Sequence, residues 1–148
     1  AAPRVFPYTS PNAVAGECSI AFGLTGPSFS VGGGLHAGLE ALAVGALLVE
    51  GGDADRVVVV AVDEGGPTTR ALAGDDVVPG AVAVLLSSSP ADAVARVGEV
   101  HLRRGVPVGG ALPAGPQALL PLVRGGFVEE LAAASPPDAH AVVRFEPV

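Results

Sequence analysis

GGGLHAGLEALAVGALLVEGG (residues 32–52), followed after three residues by RVVVVAV (residues 56–62), sets the architecture expected of this chain. Leu35, Leu39, Leu42, Ala43, Ala46, Leu47 and Val49 fall on one broad apolar stripe, which predicts a helix over 35–50. Gly51-Gly52 supplies its stop. The glycine run Gly32-Gly33-Gly34 suits a tight turn into that helix. Arg56 to Val62 is β-branched and apolar on both parities, the pattern of a central strand covered on both faces. Asp63-Glu64-Gly65-Gly66-Pro67 ends it. A glycine turn, a long helix and a buried strand in succession indicate a layered α/β fold.

Working outward toward the N-terminus, Ser28 to Val31 alternates polar and apolar like a strand, after the turn Thr25-Gly26-Pro27. Residues 13–22 place Val14, Ala15, Cys18 and Ala21 or Phe22 at spacings of about three and four, one face of a short helix. Asn12 is positioned to cap it and Gly23 to end it. Pro3, Pro7 and Pro11 make residues 1–11 irregular. Toward the C-terminus, Ala81 to Leu86 reads as a second buried strand. Val97 to Leu102 reads as a half-buried one, with Glu99 and Arg103 outward. Gly105 to Pro116 is a Gly/Pro-rich loop. Gln117 to Ala134 is predicted helical in two pieces, interrupted at Pro121 and Gly125-Gly126. His140 to Phe145 closes the chain as a strand. No internal repeat is present.

At 148 residues, a single domain can bury about two-thirds of the surface its unfolded chain exposes. The hydrophobic fraction of 49% and mean hydropathy of +0.54 are high. Glycine and proline nevertheless break every apolar run before the roughly 18 residues of a membrane span. Net charge is −7, and the eight basic residues are dispersed arginines, so no basic stripe is available to neutralise nucleic-acid phosphates. Cys18 is the single cysteine, which excludes an intramolecular disulfide. No second thiol or histidine stands at zinc-ligand spacing, and together these suit a reducing cytoplasm. No signal-peptide pattern opens the chain. With no methionine, Ala1 is expected to follow removed or separate sequence.

Four segments carry a family resemblance: Pro11-Asn-Ala-Val-Ala-Gly16, Ile20-Ala-Phe-Gly-Leu-Thr-Gly-Pro27, Gly51-Gly-Asp-Ala-Asp55 and Val77-Val-Pro-Gly80. In that order and spacing the chain resembles the amino-terminal half of β-ketoacyl synthases, over roughly residues 5 to 87; beyond Ser88 the likeness fades. The resemblance implies half of a thiolase-like fold, with a mixed, mostly parallel sheet. It places residues 1–148 in one ketosynthase-like domain with a divergent part over 88–148. In active members a cysteine stands where a strand meets a long helix. The helix N-terminus favours its thiolate, and backbone amides form an oxyanion hole. Aligning Gly26-Pro27 with the family places that cysteine at Leu35, between Gly34 and His36. Leucine has no nucleophilic atom. Cys18 lies seventeen residues earlier on the preceding helix, and the paired histidines that assist decarboxylation in the family come from its carboxy-terminal half. No catalytic residue is therefore expected, only a vestigial site at Gly33, Gly34, Leu35 and His36.

The resemblance points to a subunit of chain-length-factor type, which pairs as a heterodimer with an active β-ketoacyl synthase, an acyltransferase of polyketide or fatty-acid biosynthesis, and helps shape the acyl tunnel. Val62-Asp-Glu-Gly-Gly-Pro67 also resembles such subunits. Family dimers form when the strand before the nucleophile pairs with its counterpart, which here is Ser28, Phe29, Ser30 and Val31; Phe29 and Val31 would give selectivity. An acyl carrier protein's phosphopantetheinyl acyl chain is the one group this would bring to the chain, and neither cofactor nor metal is expected. In the family's sheet, two strands that separate residues 28–31 from residues 56–62 are encoded before Ala1. Either the strands near 97–102 and 140–145 fill that gap, or another polypeptide does, and the second is favoured.

Blander and rival alternatives stay open at this point. Gly32-Gly33-Gly34 is a tight turn first and an anion or acyl-thioester cradle second. His36 is first a surface or capping histidine, since no partner for general-base work is evident. Asp63-Glu64 solvates a turn before it forms a paired-carboxylate site. His101 and His140 lie on predicted strands with no constellation around them. Gly32-x-Gly34-x-x-Ala37 is also compatible with a dinucleotide fingerprint, but the acidic residue due about twenty positions on is displaced to Asp63. The chain has no lysine, so a P-loop is excluded. A stabilising or scaffolding subunit that touches no acyl chain, and an enzyme using His36 or Cys18, complete the set.

Overall fold

A computed structural model describes residues 10–32, 34, 36–73, 79–91, 93–104, 115–124, 128–135 and 139–148. The chain divides into two compact units, Ala1–Gly32 and Gly33–Val148. Leu35, Gly33 and the segments 1–9 and 105–114 lie outside the described residues, so the expectations placed on them are not addressed by the structure.

In the first unit, α1 (Ala13–Phe22) has the bounds that the sequence predicts. Gly23 takes a left-handed φ of 64°, and its N–H and that of Leu24 close onto the carbonyls of Ile20 and Ser19, the glycine-terminated helix end. Asn12 occupies the cap position without making a side-chain cap bond. Its Oδ1 instead accepts the Ser30 N–H at 2.6 Å. No residue of α1 is buried, and Ile20 and Phe22 are 80% and 77% exposed. The expected apolar face, Val14 and Cys18 included, is thus uncovered within this unit.

Residues 28–31 form no strand, contrary to their alternating pattern. Local side-chain bonds hold the segment instead. The Ser30 hydroxyl donates to the Pro11 carbonyl at 2.7 Å, and the Ser28 and Ser19 hydroxyls lie 2.9 Å apart. Serine and asparagine compete in this way with a backbone ladder. The dinucleotide fingerprint loses the strand it requires before Gly32.

The second unit contains α2 (Ala37–Glu50), β1 (Arg56–Asp63), α3 (Pro67–Ala73), β2 (Gly80–Ser87) and β3 (Arg96–Arg104). A 3-10 turn over Gly115–Leu119 leads into α4 (Leu120–Val123), and β4 (Glu130–Ser135) and β5 (Ala139–Glu146) follow. The α/β composition agrees with expectation, but every strand pairing among the described residues is antiparallel, not mostly parallel. β1 pairs with β2 from Arg56↔Ser87 to Asp63↔Gly80. The connection through α3 leaves and returns at the same end of the pair, so β2 must run back along β1. β3, β5 and β4 form a separate sheet in that order. The strands at 96–104 and 139–146 therefore do not fill a gap beside β1.

α2 joins the two sheets through a shared core. Leu39 and Leu42 are fully buried among Val59, Ala61, Val82, Leu119, Leu131, Val143 and Phe145. Each such leucine contributes about 1.5–3 kcal/mol by leaving water. The buried stripe is narrower than the sequence suggests, because Leu47 is 61% exposed. Gly45 is buried as well: a Cβ there would stand 2.9 Å from Leu86 Cδ1 and 3.0 Å from Val59 Cγ2. Its missing side chain lets α2 approach the β1–β2 pair.

Two further differences have physical causes. β1 is apolar on both parities, yet only Val59 and Ala61 are buried, and Val58, Val60 and Val62 are exposed. A strand covered on both faces needs a second layer, which the described residues of this unit do not supply. Residues 130–134, expected as helix, form β4 together with Ser135, and this alanine-rich sequence pairs with β5. Helix propensity worth tenths of a kcal/mol per residue yields to a ladder and to burial of Leu131. α3 was not anticipated; its signal is Pro67 at the first helical position. β3 has Val97 and Val100 half-buried and Glu99 exposed as predicted, with a one-residue bulge between Val97 and Val100. Among the described residues no helix is long and apolar enough to cross a membrane.

Candidate functional site

The residues expected to matter sit at the end of one unit and the head of the other. Of the expected vestigial site, Gly34 and His36 are described, whereas Gly33 and Leu35 are not. The Gly34 carbonyl accepts the Ala37 N–H at 3.1 Å, and the His36 carbonyl accepts the Glu40 N–H at 3.1 Å, which starts α2. His36 stands at the cap position with φ −91° and ψ 0°, and makes no side-chain cap bond.

Of the two expectations for His36, surface or capping, the structure puts it at the cap position, though without a side-chain cap bond, and not at the surface. Its side chain is only 16% exposed, and Nε2 lies 3.6 Å from Glu40 Oε2, one helical turn on. Nδ1 is buried and has no hydrogen-bond partner among the described residues. Glu40 is the acidic residue of the first turn of α2, where the helix dipole favours a negative charge. Sequence reasoning missed this pair, although the spacing of four between His36 and Glu40 is its signal. The arrangement brings an imidazole and a carboxylate near one another, beyond direct hydrogen-bond distance. Cys18 lies exposed in the middle of α1, not at a helix N-terminus of the kind that stabilises reactive thiolates.

Phe29 is 44% exposed and Val31 half-buried, in the segment expected to meet a partner. Asp63 and Glu64 behave as turn residues. The Asp63 Oδ1 accepts the Gly65 N–H at 2.7 Å, and Gly65 takes a left-handed φ of 62°.

The densest charge cluster lies elsewhere, on the outward face of the β3–β5–β4 sheet. Arg144 Nη1 donates to Glu99 Oε2 and Arg144 Nε to Glu130 Oε2, each at 3.0 Å. His101 Nε2 lies 3.2 Å from the same Glu99 oxygen. The bonds from His101 and Arg144 hold the Glu99 carboxyl below the usual carboxylate range. Those to Glu130 and then Glu99 raise the Arg144 guanidinium. Opposite charges on neighbouring strands make this a cross-strand tie. His140 lies on β5, in register with Arg103 of β3. Among the described residues no group of three or more His, Cys, Asp or Glu side chains is placed to hold a metal ion.

Comparison with curated proteins and with solved structures gave no match. Residues 1–73 match the family described as Beta-ketoacyl synthase, N-terminal domain. The matched stretch runs from the N-terminus through α3 and contains the Gly34-Leu35-His36 junction; the landmark Val77-Val-Pro-Gly80 and everything from β2 onward lie beyond it. That domain implies a thiolase-like fold, and the match over residues 1–73, just under half of the chain, supports the β-ketoacyl synthase family for this protein.

Proposed function

We propose that this chain is a ketosynthase-like subunit of chain-length-factor type, which performs no condensation itself and pairs with an active β-ketoacyl synthase. What supports this is that residue 35, where the resemblance through Gly26-Pro27 puts the family's cysteine, is a leucine. Condensation requires an atom that takes the acyl group from a thioester and later releases it to a carbanion. A leucine side chain supplies neither step. What it supplies is apolar surface, which fits a wall beside an acyl chain held on the partner's thiol and delivered by an acyl carrier protein.

In this reading residues Ser28 to Val31 meet the partner. The Ser30 N–H now bonded to Asn12 Oδ1 would exchange that bond for a main-chain ladder, with Phe29 and Val31 providing selectivity. The test is co-expression with an active β-ketoacyl synthase, followed by native mass spectrometry and intact-mass acylation assays. The expected result is a one-to-one complex in which only the partner becomes acylated by an acyl thioester. Acylation of this chain alone, with release of a carbon–carbon condensation product, would refute the proposal.

A second reading, a scaffold subunit that touches no acyl chain, draws on the exposed apolar side chains Val58, Val60 and Val62 of β1. Leu35→Ala and Leu35→Phe separate the two. A shift in product length at unchanged complex yield supports the tunnel role. Unchanged product length with altered yield supports the scaffold.

A further inference from the structure

We draw no further inference here: the strongest candidate, the outward apolar face of the β1–β2 pair built from Val58, Val60, Val62, Ala81, Ala83 and Leu85, measures only about 26 by 10 Å from strand rise and spacing, and nothing in the structure shows what covers it.

Discussion

Replacing Gly45 by alanine tests the packing of α2 on the β1–β2 pair, because the same substitution at Gly16 provides an internal reference. Both glycines lie inside helices, so each substitution gains about 1 kcal/mol of helix propensity. At Gly16 a new Cβ meets nothing within 4 Å, and that gain stands alone. At Gly45 the Cβ lies 2.9 Å from Leu86 Cδ1, 3.0 Å from Val59 Cγ2 and 3.3 Å from Val57 Cγ1. Ordinary carbon contacts need about 3.5–4.0 Å. Leu86 can turn aside, but the two valines are stiff at χ1, so α2 must lift by several tenths of an ångström. Overpacking of this kind costs about 1–3 kcal/mol. Gly45→Ala is therefore expected to destabilise by up to about 2 kcal/mol, and to lie about 1–3 kcal/mol below Gly16→Ala. Urea unfolding followed by far-UV circular dichroism measures both variants, and hydrogen exchange of a peptide covering α2 localises the effect. Equal stabilisation by the two substitutions would show that α2 does not rest on Val57, Val59 and Leu86.

Other outcomes follow from named contacts. Leu42→Ala empties a fully buried site and is expected to cost about 2–5 kcal/mol in urea unfolding. Gly65→Ala forces an alanine to a φ of 62° with its Cβ 2.5 Å from Pro79 Cγ, a loss of at least about 1–2 kcal/mol. Gly66→Ala, with open space around its Cβ, serves as the control and should be milder in the same melt. The Glu99 carboxyl titrates below its ordinary value of 4.5 because of His101 and Arg144. Its folded-state contribution is therefore present above that value and is lost as pH falls through the lower, folded one. Glu99→Gln should accordingly lower the urea midpoint at neutral pH and approach the wild type in acid; a difference constant with pH would contradict the tie. In a Cys18→Ser background, Leu35→Cys should acquire an acyl adduct from an acyl thioester, visible by intact mass, and still give no condensation product. An active condensing enzyme from that one change would overturn the expectation that residue 35 alone does not decide activity.

The local elements were legible where short-range chemistry decides. Asn12, the spaced apolar residues and Gly23 bounded α1 correctly, and Gly51-Gly52 ended α2 as expected, because helix ends depend on a few neighbouring residues. β1, β2, β3 and β5 were found within one or two residues at each end. β4 was not, because alanine-rich sequence carries no period-2 signal and becomes a strand only beside β5. Residues 28–31 failed in the opposite sense: their alternation was real, but Ser28 and Ser30 bond locally. That residue 35 is a leucine is read directly from the chain, whereas its surroundings lie outside the described residues. The enclosure of His36 beside Glu40 was not legible, because burial depends on what packs around the head of α2.

By itself the sequence determined the residue types: no lysine, a single cysteine, leucine at the junction, and the glycines that end α1 and α2. Those are properties of single positions or of one helical turn. Only the tertiary structure decided that β1 and β2 run antiparallel, that β3, β5 and β4 stand as a separate sheet, and that one face of β1 is buried while the other stays open. Pairing and burial arise from contacts between residues far apart in the chain, and an apolar run such as Arg56 to Val62 satisfies one covered face as well as two.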